Sequence, residues 1–420
     1  MTHIEHDPES LRRFATDVAL RLRTAGFEAL FAGGCVRDRL LDRDPKDYDV
    51  ATSAKPDEVE ETFRKHGTYT VPVGAAFGVI CVVDPKTKMQ VEVATFRSDG
   101  AYLDGRRPVN VTFSTPQEDA QRRDFTINGL FLDPETEEVI DYVDGRKDLD
   151  AGIVRAIGDP EARFTEDKLR LLRAVRFTAT LGFKLEERTR SAIGKMPEAL
   201  RLVSAERITG ELEKMLLDAS RAQGLQLLDE VGLLPMLFPE SMPLPGREAF
   251  AEVLSLESHL SAPTFPLALA PLLAAVTDAR GARDLAKQWR LSSRQAHRIS
   301  WLVENYRALH AAQTQRWPQL QRILIHEGRD ELVSLLAAQT ACQQTGAADL
   351  AFCRERIAWP AEKLNPPPLL TGDSLIEAGL SPGKKFAKLL EEVRNAQLEG
   401  RVTTREEAMH YVKRMAAEGN

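Results

Sequence analysis

Two short runs near the N-terminus constrain this chain most. Phe31-Ala-Gly-Gly-Cys-Val-Arg-Asp38 is followed nine residues later by Asp47-Tyr48-Asp49, which opens an apolar strand signal continuing through Val50. Gly33 and Gly34 allow a tight turn that brings backbone N–H groups close to an anion, and the following Val-Arg-Asp-Arg-Leu-Leu predicts a short helix whose N-terminus faces it. In a strand, residues i and i+2 share a face. Asp47 and Asp49 are therefore expected to point the same way and bridge hard, oxygen-seeking cations such as Mg²⁺, with Tyr48 in the opposite layer. A nucleoside triphosphate with its magnesium ions fits both halves. Either half alone is weak, because acidic pairs are common on solvated strand ends and Gly-Gly is often only a turn. A third signal joins them in Met89-Gln-Val-Glu-Val-Ala-Thr-Phe96, an alternating strand whose lone acid among apolar neighbours is Glu92. A carboxylate there is costly unless paired or metal-bound, which makes Glu92 the candidate third carboxylate of a two-metal site.

The 420 residues are enough for several domains. Cys35, Cys81, Cys342 and Cys353 are scattered and form no Cys-x-x-Cys pair, so neither a zinc site nor a disulfide framework is indicated, and a cytoplasmic location is expected. The start, Met-Thr-His-Ile-Glu-His-Asp-Pro, lacks the basic and apolar character of an export signal, and no stretch approaches the roughly 18 apolar residues of a membrane span. A net charge of −7 argues against indiscriminate nucleic-acid binding, so RNA contact must come from local basic clusters. Those clusters are Arg106-Arg107, Arg122-Arg123, the arginines from Arg163 to Arg176, and Lys384-Lys385 with Lys388.

Residues 1–149 alternate helical and strand signals, with helices at Pro8–Ala25 and Pro56–Lys65 and strands at Glu28–Ala32, at Asp47, and at Gly78–Val83 and Met89–Phe96. Beyond Glu161 apolar residues recur three and four apart and strand candidates nearly vanish. The clearest helices are Ser204–Leu217, Ala219–Val231, Pro266–Val276, Arg294–Ala311 and Lys385–Gln397, with proline-rich breaks at Leu237–Pro245 and Asn365–Pro368. The expected architecture is α+β. An α/β head (1–149) with a mixed sheet flanked by helices precedes an all-helical neck (150–235), body (236–364) and tail (365–420).

Further along, Arg122-Arg-Asp-Phe-Thr-Ile-Asn-Gly129 puts two guanidiniums beside an acid, with Asn128 on the face of Asp124 if the turn is helical. Arg122 and Arg123 suit phosphate, while Asp124 and Asn128 suit ribose hydroxyls. In Arg163-Phe-Thr-Glu-Asp-Lys-Leu-Arg-Leu-Leu-Arg-Ala-Val-Arg-Phe177, Thr165 reads as a helix cap. Asp167, Arg170, Arg173 and Arg176 there form a polar stripe, with Leu169, Leu172 and Phe177 packing elsewhere. An Asp acceptor and an Arg donor can pair with the Watson–Crick edge of a base. Cytosine and adenine both offer an amino group beside a ring nitrogen, so Asp167 with Arg170 could accept CTP and ATP. The same pair would reject UTP and GTP, where unpaired groups cost about 1–3 kcal/mol.

Taken in order, these motifs resemble the class II tRNA nucleotidyltransferase and poly(A) polymerase family of the DNA polymerase beta superfamily. GGCVRD with DYD resembles the family's metal and triphosphate motif, and RRDFTIN its ribose motif. Asp141-Tyr-Val-Asp-Gly-Arg-Lys-Asp-Leu149 resembles its hinge, EDKLRLLRAVRF its base-selecting motif, and Ser204-Ala-Glu-Arg-Ile-Thr-Gly-Glu-Leu-Glu-Lys-Met-Leu216 its supporting helix. Pro367–Lys413, with Leu-Leu-Thr-Gly-Asp373, is more weakly similar to its tRNA-binding end.

The resemblance implies addition of CMP and AMP to the tRNA 3′ end from CTP and ATP, with release of pyrophosphate. Asp47, Asp49 and Glu92 would hold two Mg²⁺ ions, and Gly34, Arg37 and Arg123 the triphosphate. Arg97–Pro108 resembles the loop family members use in switching from CTP to ATP. Gly129 stands where alanine is usual, which is expected to loosen that helix without removing a functional group. Pro235–Asn365 carries no matched motif. Addition of A alone, as a terminal residue or a tail, is the enzymatic alternative. A His-Asp phosphohydrolase is disfavoured, since the one adjacent His-Asp is His6-Asp7 and His259, His297, His310 and His326 lack metal-site spacing. A non-catalytic RNA binder is disfavoured by acids facing phosphate. The implied partners are tRNA, CTP and ATP, with no membrane and no obligate protein partner.

Overall fold

A computed structural model describes residues 7–64, 68–74, 77–100, 111–377 and 384–418. Arg106-Arg107, His6, most of the 97–108 loop and the side chains of Lys384 and Lys385 lie outside the described residues. The chain divides into two compact units, Met1–Met215 with Gln223–Glu240 and Leu216–Ala222 with Ser241–Asn420. The break expected at Leu237–Pro245 contains the junction at 240/241. The exchange of Leu216–Ala222 into the second unit has no counterpart in the hydrophobic pattern.

The first unit opens with α1 (Pro8–Thr24), β1 (Ala29–Ala32), α2 (Gly34–Leu40), β2 (Asp49–Thr52), α3 (Pro56–Arg64), β3 (Tyr69–Gly74), β4 (Val79–Val83) and β5 (Gln90–Thr95). It continues with a short hairpin, β6 (Arg97–Asp99) and β7 (Val111–Phe113), then α4 (Pro116–Gln121), a 3-10 turn at Thr126–Asn128, β8 (Leu130–Leu132), β9 (Val139–Asp141) and α5 (Gly145–Asp150). Seven strands form a mixed sheet in the order β3-β4-β5-β2-β1-β8-β9. The β2–β5 junction is parallel and the others are antiparallel. One face is closed by α1 and α3 over Val50, Ile80, Val91 and Val93, all buried. The other face is closed only in part, where Leu30, Ala32, Ala51, Phe96, Ala120 and Phe131 form a core cluster.

The helices α6 (Pro160–Glu166) and α7 (Arg170–Leu181) follow a two-residue strand β10 (Ile153–Val154), which pairs in parallel with β11 (Lys184–Leu185). Then come α8 (Glu187–Lys195), α9 (Ala205–Leu216) and α10 (Arg221–Glu230). Three details depart from expectation. Thr165 is not a cap, because it lies in the last turn of α6 with its hydroxyl donating to the Glu161 carbonyl (2.8 Å), and Asp159 caps that helix through the Ala162 N–H. The stretch expected to be one helix breaks at Asp167, whose carboxylate accepts from the Leu169 N–H (3.1 Å). Gly129 closes the 3-10 turn rather than sitting in a helix, and a Cβ there would lie 2.7 Å from Val143 Cγ2, so the missing methyl accommodates tight packing.

The second unit is helical. Its first core gathers Leu256, Leu267, Leu302, Leu320, Leu335 and their neighbours, and a separate cluster from Leu370 to Val412 holds the C-terminal helices. The helix expected over Arg294–Ala311 spans Ser293–Glu304, because Asn305 turns its amide back onto the Trp301 carbonyl (2.9 Å) and Ala311 adopts a left-handed φ of 56°. Among the described residues no helix is long and apolar enough to cross a membrane.

Candidate active site

The turn between β1 and α2 is made by Gly33, with φ 74° and ψ −126°, a conformation open to glycine but not to side-chain-bearing residues. Its N–H donates to the Leu130 carbonyl (3.1 Å), which ties the turn to β8. A Cβ at Gly33 would lie 2.8 Å from Arg123 Nη1, so a guanidinium rests directly on this backbone. The helix predicted after the glycines is α2. It carries Arg37, which is buried and donates from Nη1 to Asn128 Oδ1 (2.7 Å) and from Nε to Asp38 Oδ1 (2.8 Å).

On the neighbouring strand, Asp49 is the first residue of β2 and pairs with Ala32 on one side and Glu92 on the other. Asp47 lies before the strand, exposed, rather than on it as expected, because backbone pairing begins only at Asp49. Tyr48 does turn to the opposite layer, buried against the Phe31 ring at 5.1 Å between centroids. Glu92 sits where expected beside Asp49, but it is exposed on the open face. The cost of burial argued from its apolar neighbours therefore does not apply, since those neighbours face the other side. Burial first, and then repulsion from Asp47 and Glu92, pushes the Asp49 carboxyl up to about 7, with Arg123 the one opposing influence. This uncompensated negative charge fits a cation. Among the described residues no three His, Cys, Asp or Glu side chains are gathered as a formed metal cluster. The three acids are neighbours, not a closed ligand shell.

A network of arginines surrounds this point. Arg122 and Arg123 are both held by Asp119 of α4, at 2.7 and 2.9 Å, and Arg123 lies over the Phe131 ring at 5.2 Å. Asp119 is only 2% exposed, and the two arginines outweigh the effect of burial and hold its carboxyl below the usual range. The motif as read starts at Arg122 and leaves this residue out, although its spacing of three and four from the arginines is the signature of a helical clamp. Asp124 and Asn128 do share a face, joined by Asn128 Nδ2 to Asp124 Oδ1 (3.0 Å). Asp124 Oδ2 accepts from Arg173 Nε (2.8 Å). Burial alone would raise the Asp124 carboxyl, but Arg173, Asn128 and Arg170 hold it well below the ordinary value.

Asp167 and Arg170 are not bonded to each other. Asp167 forms a two-point pair with Arg207 of α9 (3.0 and 2.7 Å), while Arg170 donates to Glu166 (2.7 Å) and to the carbonyls of Arg163 and Arg122 (3.0 Å each). Arg176 pairs with buried Glu211 at 2.5 Å, and Arg173 approaches the same carboxylate at 3.6 Å. Arg207 and Glu211, forty and thirty-five residues from their partners, were beyond any local spacing rule. The Phe177 ring has Arg37, Arg173 and Arg176 around it at 5.0, 5.1 and 3.9 Å. In the hinge motif, Asp141 accepts three backbone N–H bonds from Val143, Gly145 and Arg146. Gly145 packs so closely that a Cβ would lie 2.2 Å from the Thr126 carbonyl.

A mixed sheet carrying acids beside a glycine turn and a cluster of arginines defines a nucleotidyltransferase head. Comparison with known proteins agrees. Residues 29–155 match the Poly A polymerase head domain, 182–243 the "Probable RNA and SrmB- binding site of polymerase A", and 267–412 tRNA nucleotidyltransferase domain 2. The last of these covers most of Pro235–Asn365, which carries no matched motif. The CCA-adding enzyme of Enterococcus faecalis is 33% identical over 417 residues, 96% of each chain. That of Ligilactobacillus salivarius is 44% identical over 224 residues, about half of each. Among solved structures, the Bacillus stearothermophilus CCA-adding enzyme in complex with CTP superposes with a TM-score of 0.78 at 28% identity, covering 99% of both chains. The chain belongs to the CCA-adding enzyme family of tRNA nucleotidyltransferases.

Proposed function

We propose that this enzyme adds CMP and AMP, without a template, to the 3′ end of tRNA from CTP and ATP. The observation that carries the reading is the in-register pairing of Asp49 with Glu92 beside the Gly33 turn on which Arg123 rests. The bond formed joins the tRNA 3′-oxygen to the α-phosphorus. The bond broken joins that phosphorus to the pyrophosphate oxygen, and the 3′-hydroxyl proton is lost.

Asp47, Asp49 and Glu92 would hold magnesium. The chemistry two such ions supply when bound is activation of a hydroxyl and neutralisation of charge on the departing pyrophosphate. The Gly33 and Gly34 backbone, Arg37 and Arg123 bind the triphosphate, and Arg122 steadies Arg123 by sharing Asp119. Asp124 and Asn128 are the proposed ribose contacts. Each carboxylate oxygen has capacity beyond the bonds it already makes, and those bonds fix its orientation. Arg173 and Arg176 supply positive charge on the same side, anchored by Asp124 and Glu211.

Base choice is assigned to Asp167 with Arg170. In the free protein these are satisfied by Arg207 and Glu166, so a base must offer a matching donor and acceptor to replace them. Unmatched bases leave half-buried Asp167 and buried Arg170 without a replacement partner. A cytoplasmic site of action is proposed on the four free cysteines. The test is to sequence the 3′ ends made from tRNA trimmed of its last three residues, with all four nucleotides present. Ordered C, C, A addition is expected, whereas A without C would transfer the assignment to an A-adding enzyme.

A further inference from the structure

The open face of the sheet continues outward past Glu92. Paired residues on neighbouring antiparallel strands project to the same face. Glu92 pairs with Cys81 of β4 and Cys81 with Val71 of β3, while Gln90 pairs with Val83 and Val83 with Tyr69. Two rows therefore lead from the carboxylate strand to the sheet edge, exposed at both ends, with Cys81 and Val83 between them buried at 5% exposure each. At their outer end Tyr69 is 45% and Val71 42% exposed, unusual for large apolar side chains on a strand. Lys88, exposed on the turn between β4 and β5, places its Nζ 3.2 Å from the Tyr69 hydroxyl.

The edge itself is a poor template for an added strand. Pro72 offers no N–H, and the β3–β4 register shifts between Val71 and Gly74. What β3 presents is a face, apolar and aromatic with a cation at its rim. That chemistry suits the bases and backbone of single-stranded RNA, which stack on aromatic rings while lysines meet phosphate.

The direction of the reaction points to the same place. Gly33, Arg37 and Arg123 lie on the β1 and β8 side of Asp49, whereas β5, β4 and β3 lie on the other. In an in-line displacement, nucleophile and leaving group sit on opposite sides of the phosphorus. A pyrophosphate held on the β1 side leaves the β5 side to the attacking hydroxyl.

We infer that the face of β5, β4 and β3 seats the 3′-terminal nucleotides of the tRNA. Tyr69 and Val71 form a stacking floor, Lys88 meets a phosphate, and the terminal hydroxyl reaches Glu92. About 10 Å, two strand spacings, separates Glu92 from Val71. Tyr69 and Val71 are positioning residues, and their role rests on the nucleotidyl-transfer reading above.

The test is steady-state CMP addition by the full chain, varying trimmed tRNA at saturating CTP and then CTP at saturating tRNA. Tyr69→Ala and Val71→Asp are expected to raise the KM for tRNA about tenfold, the loss of one stacked base, with the KM for CTP unchanged within twofold. Tyr69→Phe is expected to restore wild-type behaviour. An unchanged KM for tRNA in both variants, with melting curves confirming their fold, would overturn the inference. So would a rise confined to CTP, or a change only in the sedimentation of the free protein, which would make this face a self-association surface. Failure of the wild type to incorporate CMP would instead strike the CCA-adding reading, and failure to incorporate either CMP or AMP the nucleotidyl-transfer reading itself.

Discussion

Asp49 and Glu92 face each other in register across the parallel junction between β2 and β5. Adjacent strands stand about 4.8 Å apart, so two like charges are held side by side on one face by backbone pairing alone. The arrangement is unfavourable until something positive arrives, and it adds to burial, the larger cause, and to repulsion from Asp47 in raising the Asp49 carboxyl.

Asp49→Asn should therefore lower nucleotide addition by about a thousandfold or more, the equivalent of several kcal/mol of transition-state stabilisation. The metal-free stability should move the other way. Asp49 has an ordinary value of 3.8 and is pushed up to about 7 in the folded chain, so the folded state holds a proton the unfolded state has released. Stability from this group is lost as pH rises from about 4 through 7. In EDTA at pH 8, Asp49→Asn should melt higher than wild type, and magnesium should raise the wild-type melting temperature but not that of the variant. Calorimetry with and without the ion checks both.

Gly33→Ala tests the turn. The left-handed backbone would cost on the order of 1–3 kcal/mol, and the new Cβ would push on Arg123 Nη1 from 2.8 Å. The expected outcome is a KM for CTP and ATP raised about tenfold with the KM for tRNA unchanged, measured by the same steady-state assay.

Much of this site is readable from local chemistry, because glycine turns and alternating strands are written in consecutive residues. Gly33, Asp49, Glu92 and Asn128 are legible in that way. Asp47 falls outside its strand because pairing partners, absent from a linear reading, decide where a strand begins. β3 is obscured by Pro72, and β8 and β9, three residues each, are too short for any periodicity to register. Asp167 and Arg170, three residues apart, read together as a base-facing acceptor and donor. That Arg207 holds Asp167 is not legible there, because only the packing of α9 brings it near.

That distant pair yields a prediction on nucleotide choice. Asp167→Ala should remove the acceptor for the amino group of cytosine and adenine and cut kcat/KM for CTP and ATP by roughly 5- to 150-fold, the range for one unmet buried hydrogen bond. UTP, which lacks that amino group, should lose far less, so the CTP-over-UTP preference collapses. Arg207→Ala should leave the preference in place while lowering the rate, because Asp167 keeps its acceptor oxygens but loses the group that orients them. Single-nucleotide extension with each triphosphate in turn separates the two outcomes.

The second unit carries its own titratable liability in Glu257. Its side chain is 0% exposed, and among the described residues neither carboxylate oxygen has a hydrogen-bond partner. Arg221 lies close, but its Nη1 donates to the main-chain carbonyls of Glu257 and Leu260 and its Nε to that of Leu216, each at 2.9 Å. Burial pushes the Glu257 carboxyl from 4.5 up to about 8, against a partial pull from Arg221. The folded chain therefore binds a proton that the unfolded chain has lost above about pH 4.5. Its stability should fall as pH rises through that window and level off once pH passes 8. Glu257→Gln removes the ionisation and should flatten this limb, gaining on the order of 2–4 kcal/mol over wild type at pH 9 and little at pH 5. Urea unfolding of the full chain at the two pH values, followed by tryptophan fluorescence, gives the comparison. A variant that loses as much stability at pH 9 as at pH 5 would show that Glu257 is charged in the folded state and held by Arg221 after all.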